Sequence, residues 1–232
     1  MSIHDGHRQR LKQRFLEEGL DSFDEVNVLE ILLFFAIPRK DTNPIAHSLL
    51  EHFGSLTQVL EAPVEELVKV SGISENAATL LNLTTAVGRY YQVSRAARAR
   101  VLNTTAECGR YLMPYFMGRR NECVYLLCLD AKCKVLCCKE VGQGSVNSAG
   151  VSIRRIVEVA LGSNAASVIL AHNHPSGLAL PSGDDVYTTR RVAAALNAVE
   201  IRLADHIVVA DDDFVSLVES GFYSPDETYT LV

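Results

Sequence analysis

No apolar run in this sequence is longer than ILLFFAI, Ile31 to Ile37, whereas a helix needs roughly 20 apolar residues to cross a bilayer. The chain start, MSIHDGHRQR, has neither the apolar stretch nor the small-residue cleavage pattern of a secretory signal. A cytoplasmic protein with no membrane partner is therefore expected. No two cysteines are spaced CxxC. The six cysteines fall at 108, 123, 128, 133, 137 and 138, and the five-residue recurrence of the middle ones does not match a zinc finger. Reduced, mostly buried thiols are expected instead. Excess positive charge is also missing: the net charge is −6, so the surface as a whole is not a nucleic-acid footprint. DNA would have to be met by local patches. HDGHRQRLKQR at the chain start and SRAARAR (Ser94 to Arg100) are two such patches, and each also reads as the solvated face of a helix.

What is present suits an ordinary globular protein. With 232 residues, 48% of them hydrophobic, the chain can form one large or two small domains with a real core. Up to about residue 90 it reads as helices. DSFDEVNVLEILLFFAI has early acidic residues and apolar positions at helical spacing. NPIAHSLLEHFG offers Asn43 as a cap, Pro44 at the first helical position and Gly54 past the end. APVEELVKVSG repeats that logic with Pro63 and Gly72, and SENAATLLNLTTAVGRYY starts at Ser74 as a cap. AHSLL and AATLL, 31 residues apart, form a weak internal repeat. The VSGIS turn between two helices can present backbone N–H groups to a phosphate. A helical hairpin that only packs would look the same, and Ser74 stands where such phosphate-binding turns often carry a second glycine.

A linker is expected near QVSRAARARVLN, Gln92 to Asn103, dividing the chain into 1–100 and 101–232. Beyond it, strand-like and helix-like segments alternate. ECVYLLCLD and KVLCCKEVGQGSVN read as strands, GVSIRRIVEVALGS as a helix, ASVILAH as a buried strand and SGDDVYTTRRVAAALNAV as a helix. IRLADHIVVADDDFVSLVESGF reads as two strands around an acidic turn. The alternation predicts a three-layer α/β domain.

The chemistry concentrates in ILAHNHPSGLALPSGDD, Ile169 to Asp185. On a strand, His172 and His174 point to one face and Asn173 to the other. Asp185 returns eleven residues after His174, at a helix start, as a third ligand. Two histidines and a carboxylate suit zinc and leave a position open for water. SGDD is at the same time a capping box, with Ser182 as N-cap and Asp185 three residues on. A cap explains neither histidine. Asp205 and His206 form another polar pair in an apolar strand, either as partners of the ligands or as a pair satisfied at a strand end.

The spacing H-x-H, seven residues, S, two residues, D resembles the JAMM (MPN-type) metalloprotease motif. The longer HNHPSG…PS..D is similar to the bacterial RadC family, long labelled a DNA repair protein. FFAIPRKDTNPIAHSLLEHFGSL and LADHIVVADDDFVSL extend the likeness over most of the chain. The resemblance implies an all-α helix-hairpin-helix region in front of a C-terminal α/β MPN (JAMM, cytidine-deaminase-like) domain, whose mixed sheet is flanked by helices. It implies zinc held by His172, His174 and Asp185, and Ser182 supporting an oxyanion. It also implies an upstream glutamate as general base. Glu122, which opens the strand ECVYLLCLD, is the choice; Glu140 is the rival, and both also read as strand-end surface carboxylates. The loop reads SGLAL where the family carries SGDP, so Leu178 and Leu180 leave substrate preference open.

The function implied is zinc-dependent cleavage of an amide bond in a protein or peptide substrate. The helical module would bind DNA weakly and without sequence preference, through Gly72, Ser74 and Lys69. Arg89, Arg95, Arg98 and the basic chain start are also near at hand, and Glu61, Glu65 and Glu66 oppose them. A DNA-associated binding protein with an idle metal site and a metal-dependent nuclease are the alternatives.

Overall fold

The computed structural model describes residues 3–96, 100–144 and 152–227. Arg98 and the chain between Gly144 and Ser152 lie outside the described residues. The chain forms two compact units, residues 1–88 and 89–232.

The first unit is helical: α1 (Ile3–Glu18), α2 (Glu25–Ala36), α3 (Asn43–Phe53), α4 (Leu56–Glu61), α5 (Val64–Leu67) and most of α6 (Glu75–Ala96). Asp24 starts α2 by accepting the Asn27 N–H at 2.8 Å, and the helix stops before Ile37, whose conformation the following Pro38 restricts. α3 begins at Asn43 itself, with Thr42 in the cap position. The expected cap is shifted by one residue because the Asp41 carboxylate takes the Asn43 N–H at 3.1 Å. Leu29, Leu33, Leu49, Val59, Leu67 and Leu81 fill the core.

The VSGIS turn joins α5, a single helical turn, to α6. Gly72 sits at φ 94°, and a Cβ there would come within 2.9 Å of Ile45 Cδ1, so both conformation and packing require glycine. Ser74 caps α6 by accepting the Ala77 N–H at 3.3 Å. Helix α6 runs on to Ala96, so the first part of the expected linker is helical.

The second unit contains α7 (Thr105–Phe116), β1 (Cys123–Leu129), β2 (Val135–Gln143), α8 (Ile153–Gly162), β3 (Ser167–Asn173), α9 (Gly183–Asn197), β4 (Arg202–Ala210) and β5 (Asp213–Ser216). The sheet order is β2-β1-β3-β4-β5. β1 is antiparallel to β2 and β3, β3 is parallel to β4, and β5 closes antiparallel on β4. The sheet is thus mixed, with α9 making the crossover between its parallel pair.

Strand alternation sorts the core into two layers. Val124, Leu126, Cys128, Val168, Leu170 and Val208 pack on Ile156 and Val159 of α8 and Val192 and Leu196 of α9. Tyr125, Leu127, Ile169, Ala171, Ile207 and Val209 pack on Tyr111, Leu112 and Phe116 of α7. With helices on both faces, all seven residues of β1 are buried, and β1 therefore reads as a continuous apolar run. The six cysteines are free thiols, and three of them, Cys108, Cys123 and Cys128, are buried. Among the described residues no helix is long and apolar enough to cross a membrane.

Candidate metal centre

β3 ends at the edge of the α8/α9 layer. Val124 of β1 pairs with His172, so His172 shares the face that packs on α9. Alternation sends Asn173 to the α7 face and brings His174 back. Pro175 cannot continue the ladder, and the chain turns at Gly177 (φ 81°), whose N–H donates to the His174 carbonyl at 3.2 Å. That turn brings the Leu178 carbonyl to 3.0 Å from His174 Nδ1. Beyond it Leu178 and Leu180 are exposed.

The loop returns at Ser182, the N-cap of α9. Both halves of the capping box form: the Asp185 N–H donates to Ser182 Oγ at 3.2 Å, and the Ser182 N–H donates to Asp185 Oδ2 at 2.7 Å. The Ser182 hydroxyl also donates to Oδ2, at 2.6 Å. Capping therefore engages Oδ2 and turns Oδ1 towards β3.

His172 Nε2 lies 2.9 Å from His174 Nε2 and 3.2 Å from Asp185 Oδ1, and His174 Nε2 lies 3.6 Å from Asp185 Oδ2. One donor atom from each residue falls within 4.8 Å of the others. Ligand atoms about 2.0–2.2 Å from a tetrahedral ion stand roughly 3.3–3.6 Å apart, so the spacing fits one small cation. The Leu178 carbonyl can only accept, which puts the proton of a neutral His174 on Nδ1 and leaves the Nε2 lone pair facing the other two residues. The side chains are 1% (His172), 16% (His174) and 7% (Asp185) exposed, so solvent reaches the group past His174. Burial would raise the Asp185 carboxyl pKa; the close contact with the His172 imidazole and the two hydrogen bonds from Ser182 override it and hold the group well below the usual carboxylate range.

Of the two carboxylates weighed as bases, Glu140 lies within a strand and Glu122 just before one. Glu122 immediately precedes β1, and its carbonyl accepts the Gly144 N–H at 2.8 Å. Counting back two residues from Val124 places it on the His172 face, and two residues beyond His172 on the antiparallel partner is His174. Glu140 pairs across β1 with Tyr125, on the α7 face. It is held there by Arg119 at 2.8 Å and by the Tyr125 hydroxyl at 3.0 Å. Burial would raise its carboxyl pKa, but the hydrogen bonds from Gln143 and Tyr125 and the Arg119 charge lower it on balance.

Asp205 and His206 part company. Asp205 accepts from the Ser216 hydroxyl at 2.7 Å and from its neighbour's N–H at 2.7 Å. His206 Nε2 lies 2.8 Å from His172 Nδ1, and its Nδ1 lies 2.6 Å from Thr189 Oγ1. Burial, with His172 adding to it and Asp185 opposing, holds the His206 pKa well below the usual imidazole range. The sequence reading missed Thr189, whose one signal is its place one helical turn after Asp185. It also missed that Asn173, buried on the opposite face, accepts the Cys123 N–H at 2.8 Å and so ties the start of β1 to the histidine strand.

Of the residues considered for DNA contact, Gly72 and Ser74 form the turn before α6, and Lys69 is ion-paired to Glu66 at 2.6 Å.

A family model described as the RadC-like JAB domain matches residues 102–222. A UPF0758 protein of Ruegeria pomeroyi is 33% identical over 216 residues, covering 93% of this chain and 96% of that protein. A UPF0758 protein of Nitrosococcus oceani is 35% identical over 213 residues, covering 92% and 95%. One from Fusobacterium nucleatum is 31% identical over 223 residues, covering 93% and 96%.

Proposed function

The chain belongs to the RadC family, and from that premise we propose that its JAB domain is a zinc-dependent hydrolase of amide bonds, in linear or isopeptide-linked chains. The observation that carries this reading is the convergence of two imidazole nitrogens and one carboxylate at the end of β3. His172, His174 and Asp185 would hold the ion. When bound, it supplies Lewis-acid polarisation of a carbonyl and lowers the pKa of water to about 7.

The remaining work falls to the protein's own groups. Glu122 takes the proton of the attacking water and hands it to the leaving amine. Its place on the His172 side of β1 supports this role, while Glu140 is committed to Arg119 on the other face. The Ser182 hydroxyl donates to the oxyanion that develops at the scissile carbonyl, a contribution of roughly 3 kcal/mol for one such donor. To do so it turns away from Asp185 Oδ2, its partner in the cap.

The helical unit serves as an attached module that holds DNA weakly, through backbone N–H groups of the Gly72–Ser74 turn. The pairing of Lys69 with Glu66 keeps that binding weak. A single site with one carboxylate argues against two-metal phosphodiester cleavage.

The test is hydrolysis of linear and branched peptides. Cleavage that stops on chelation and returns with added zinc supports the reading. A zinc-loaded protein that cleaves none of them is a binding protein with an idle metal site.

A further inference from the structure

Behind the ligand face runs a buried chain of polar contacts that crosses three elements and both begins and ends at a candidate ligand. His172 Nδ1 meets His206 Nε2 at 2.8 Å, His206 Nδ1 meets Thr189 Oγ1 at 2.6 Å, and Thr189 Oγ1 meets the backbone carbonyl of Asp185 at 2.6 Å. His172, His206 and Thr189 are all buried.

We infer that Thr189 and His206 are positioning residues that set the tautomer of His172, so that its Nε2 offers a lone pair to the ion; this rests on the metal-centre reading above. The direction of the chain follows from its far end. A backbone carbonyl only accepts, so the single Thr189 hydroxyl proton is donated to the Asp185 carbonyl. The Thr189 oxygen must then accept from His206 Nδ1–H. His206 is fully buried and uncharged there, so it has no second proton, and its Nε2 accepts from His172 Nδ1–H. A neutral His172 is left with Nε2 bare.

His174 reaches the same state through the Leu178 carbonyl. Two bare Nε2 atoms 2.9 Å apart beside a carboxylate repel one another unless a cation lies among them. The chain thus prepares the site for a metal rather than for a hydrogen bond between its two histidines.

Removing the Thr189 hydroxyl frees the chain to reverse. His206 can then carry its proton on Nε2 and donate to His172 Nδ1, which moves the His172 proton onto the atom that would face the ion. Thr189→Val, nearly the same shape, should weaken zinc binding about ten- to a hundredfold in a chelator competition, and Thr189→Ser should restore it. A purely structural role for Thr189 would not move the tautomer. In 15N-histidine NMR of the metal-free full chain, His172 should be protonated on Nδ1 in the wild type and on Nε2 in Thr189→Val. A wild-type His172 protonated on Nε2 overturns the inference without any variant, and so does a Thr189→Val protein with unchanged zinc affinity and tautomer. A wild-type chain with the expected tautomer that takes up no zinc supports the hydrogen-bond chain and overturns the metal reading instead.

Discussion

In the helical unit the buried side chains are nearly all apolar. Among the described residues its buried polar groups are Glu30, paired with His7 at 3.1 Å, and Thr42, whose hydroxyl finds no partner. The sheet unit buries His172, Asn173, Asp185, Thr188, Thr189, Asp205, His206 and Ser216, all on β3, α9, β4 and β5. Burying a polar group costs about 1–3 kcal/mol when it is left unpaired and gains little when it is paired. Stability alone therefore gives no reason to bury eight in one unit. One unit is packed for stability; the other carries, inside an equally apolar frame, buried polar groups on both faces of its sheet, and His172, His206, Thr189 and Asp185 on the α9 side join in one set of contacts.

The sharpest way to break this contrast is at Glu122. Glu122→Gln should lower hydrolysis on the order of a hundredfold or more while zinc stays bound, because a base is needed for chemistry and not for coordination. Glu140→Gln, on the other face, should retain most of the activity. An inactive Glu140→Gln beside an active Glu122→Gln would reverse the assignment.

Alkali should separate the two units. All six cysteines lie at 108 or beyond, in the sheet unit. Burial raises the Cys123 thiol to about 11 and those of Cys108 and Cys128 to about 12. The folded chain keeps these protons at pH values where the unfolded chain has lost them. Stability is thus unaffected below about pH 8.5 and falls as pH rises from there towards 11–12. Hydrogen exchange at pH 8 and pH 10 should show protection lost in β1 before α2 and α3. Equal loss in both units would mean that thiol burial does not set the difference.

Ser182→Ala belongs to both sides of the comparison. Loss of the cap should cost ~1 kcal/mol in denaturant unfolding. Turnover per folded molecule should drop as well, since the oxyanion loses a donor. Unchanged turnover leaves only the capping role.

The smallest effect is expected from the helical unit. The full chain titrated with duplex DNA at two salt concentrations should bind weakly, with a log–log salt slope of about −0.9 per phosphate contact. Gly72→Ala is no clean probe, because a Cβ there collides with Ile45. Lys69→Glu is, and it should weaken binding at low salt. No binding even at low salt would make the unit a packing module.

The elements with a strong periodic signal were legible in advance: all five strands, α8 and α9. Helix α7 was not foreseen, although Thr104 and Glu107 form a full capping box that the sequence displays. The grouping of His172, His174 and Asp185 was legible because it rests on local rules, namely strand alternation at His172 and His174 and a helix start at Asp185. The choice between Glu122 and Glu140 depends on the face each takes, and a shift in β1–β2 register between Val124 and Tyr125 helps decide it. The role of His206 was out of reach for a similar reason. It meets His172 across 34 residues, at a level set by the parallel β3–β4 register, which is itself shifted between Val168 and Ile169. Alternation orders the residues within a strand but says nothing of which strand lies alongside.

On the reading proposed above, the polar groups on the α9 side at the end of β3 hold a metal ion. Metal analysis of the purified full chain, beside His174→Ala, tests it most directly. One zinc per wild-type chain, retained through gel filtration, is expected, with a large loss in the variant and the fold intact by circular dichroism. A wild-type protein that carries no metal and takes up none from added zinc would contradict it.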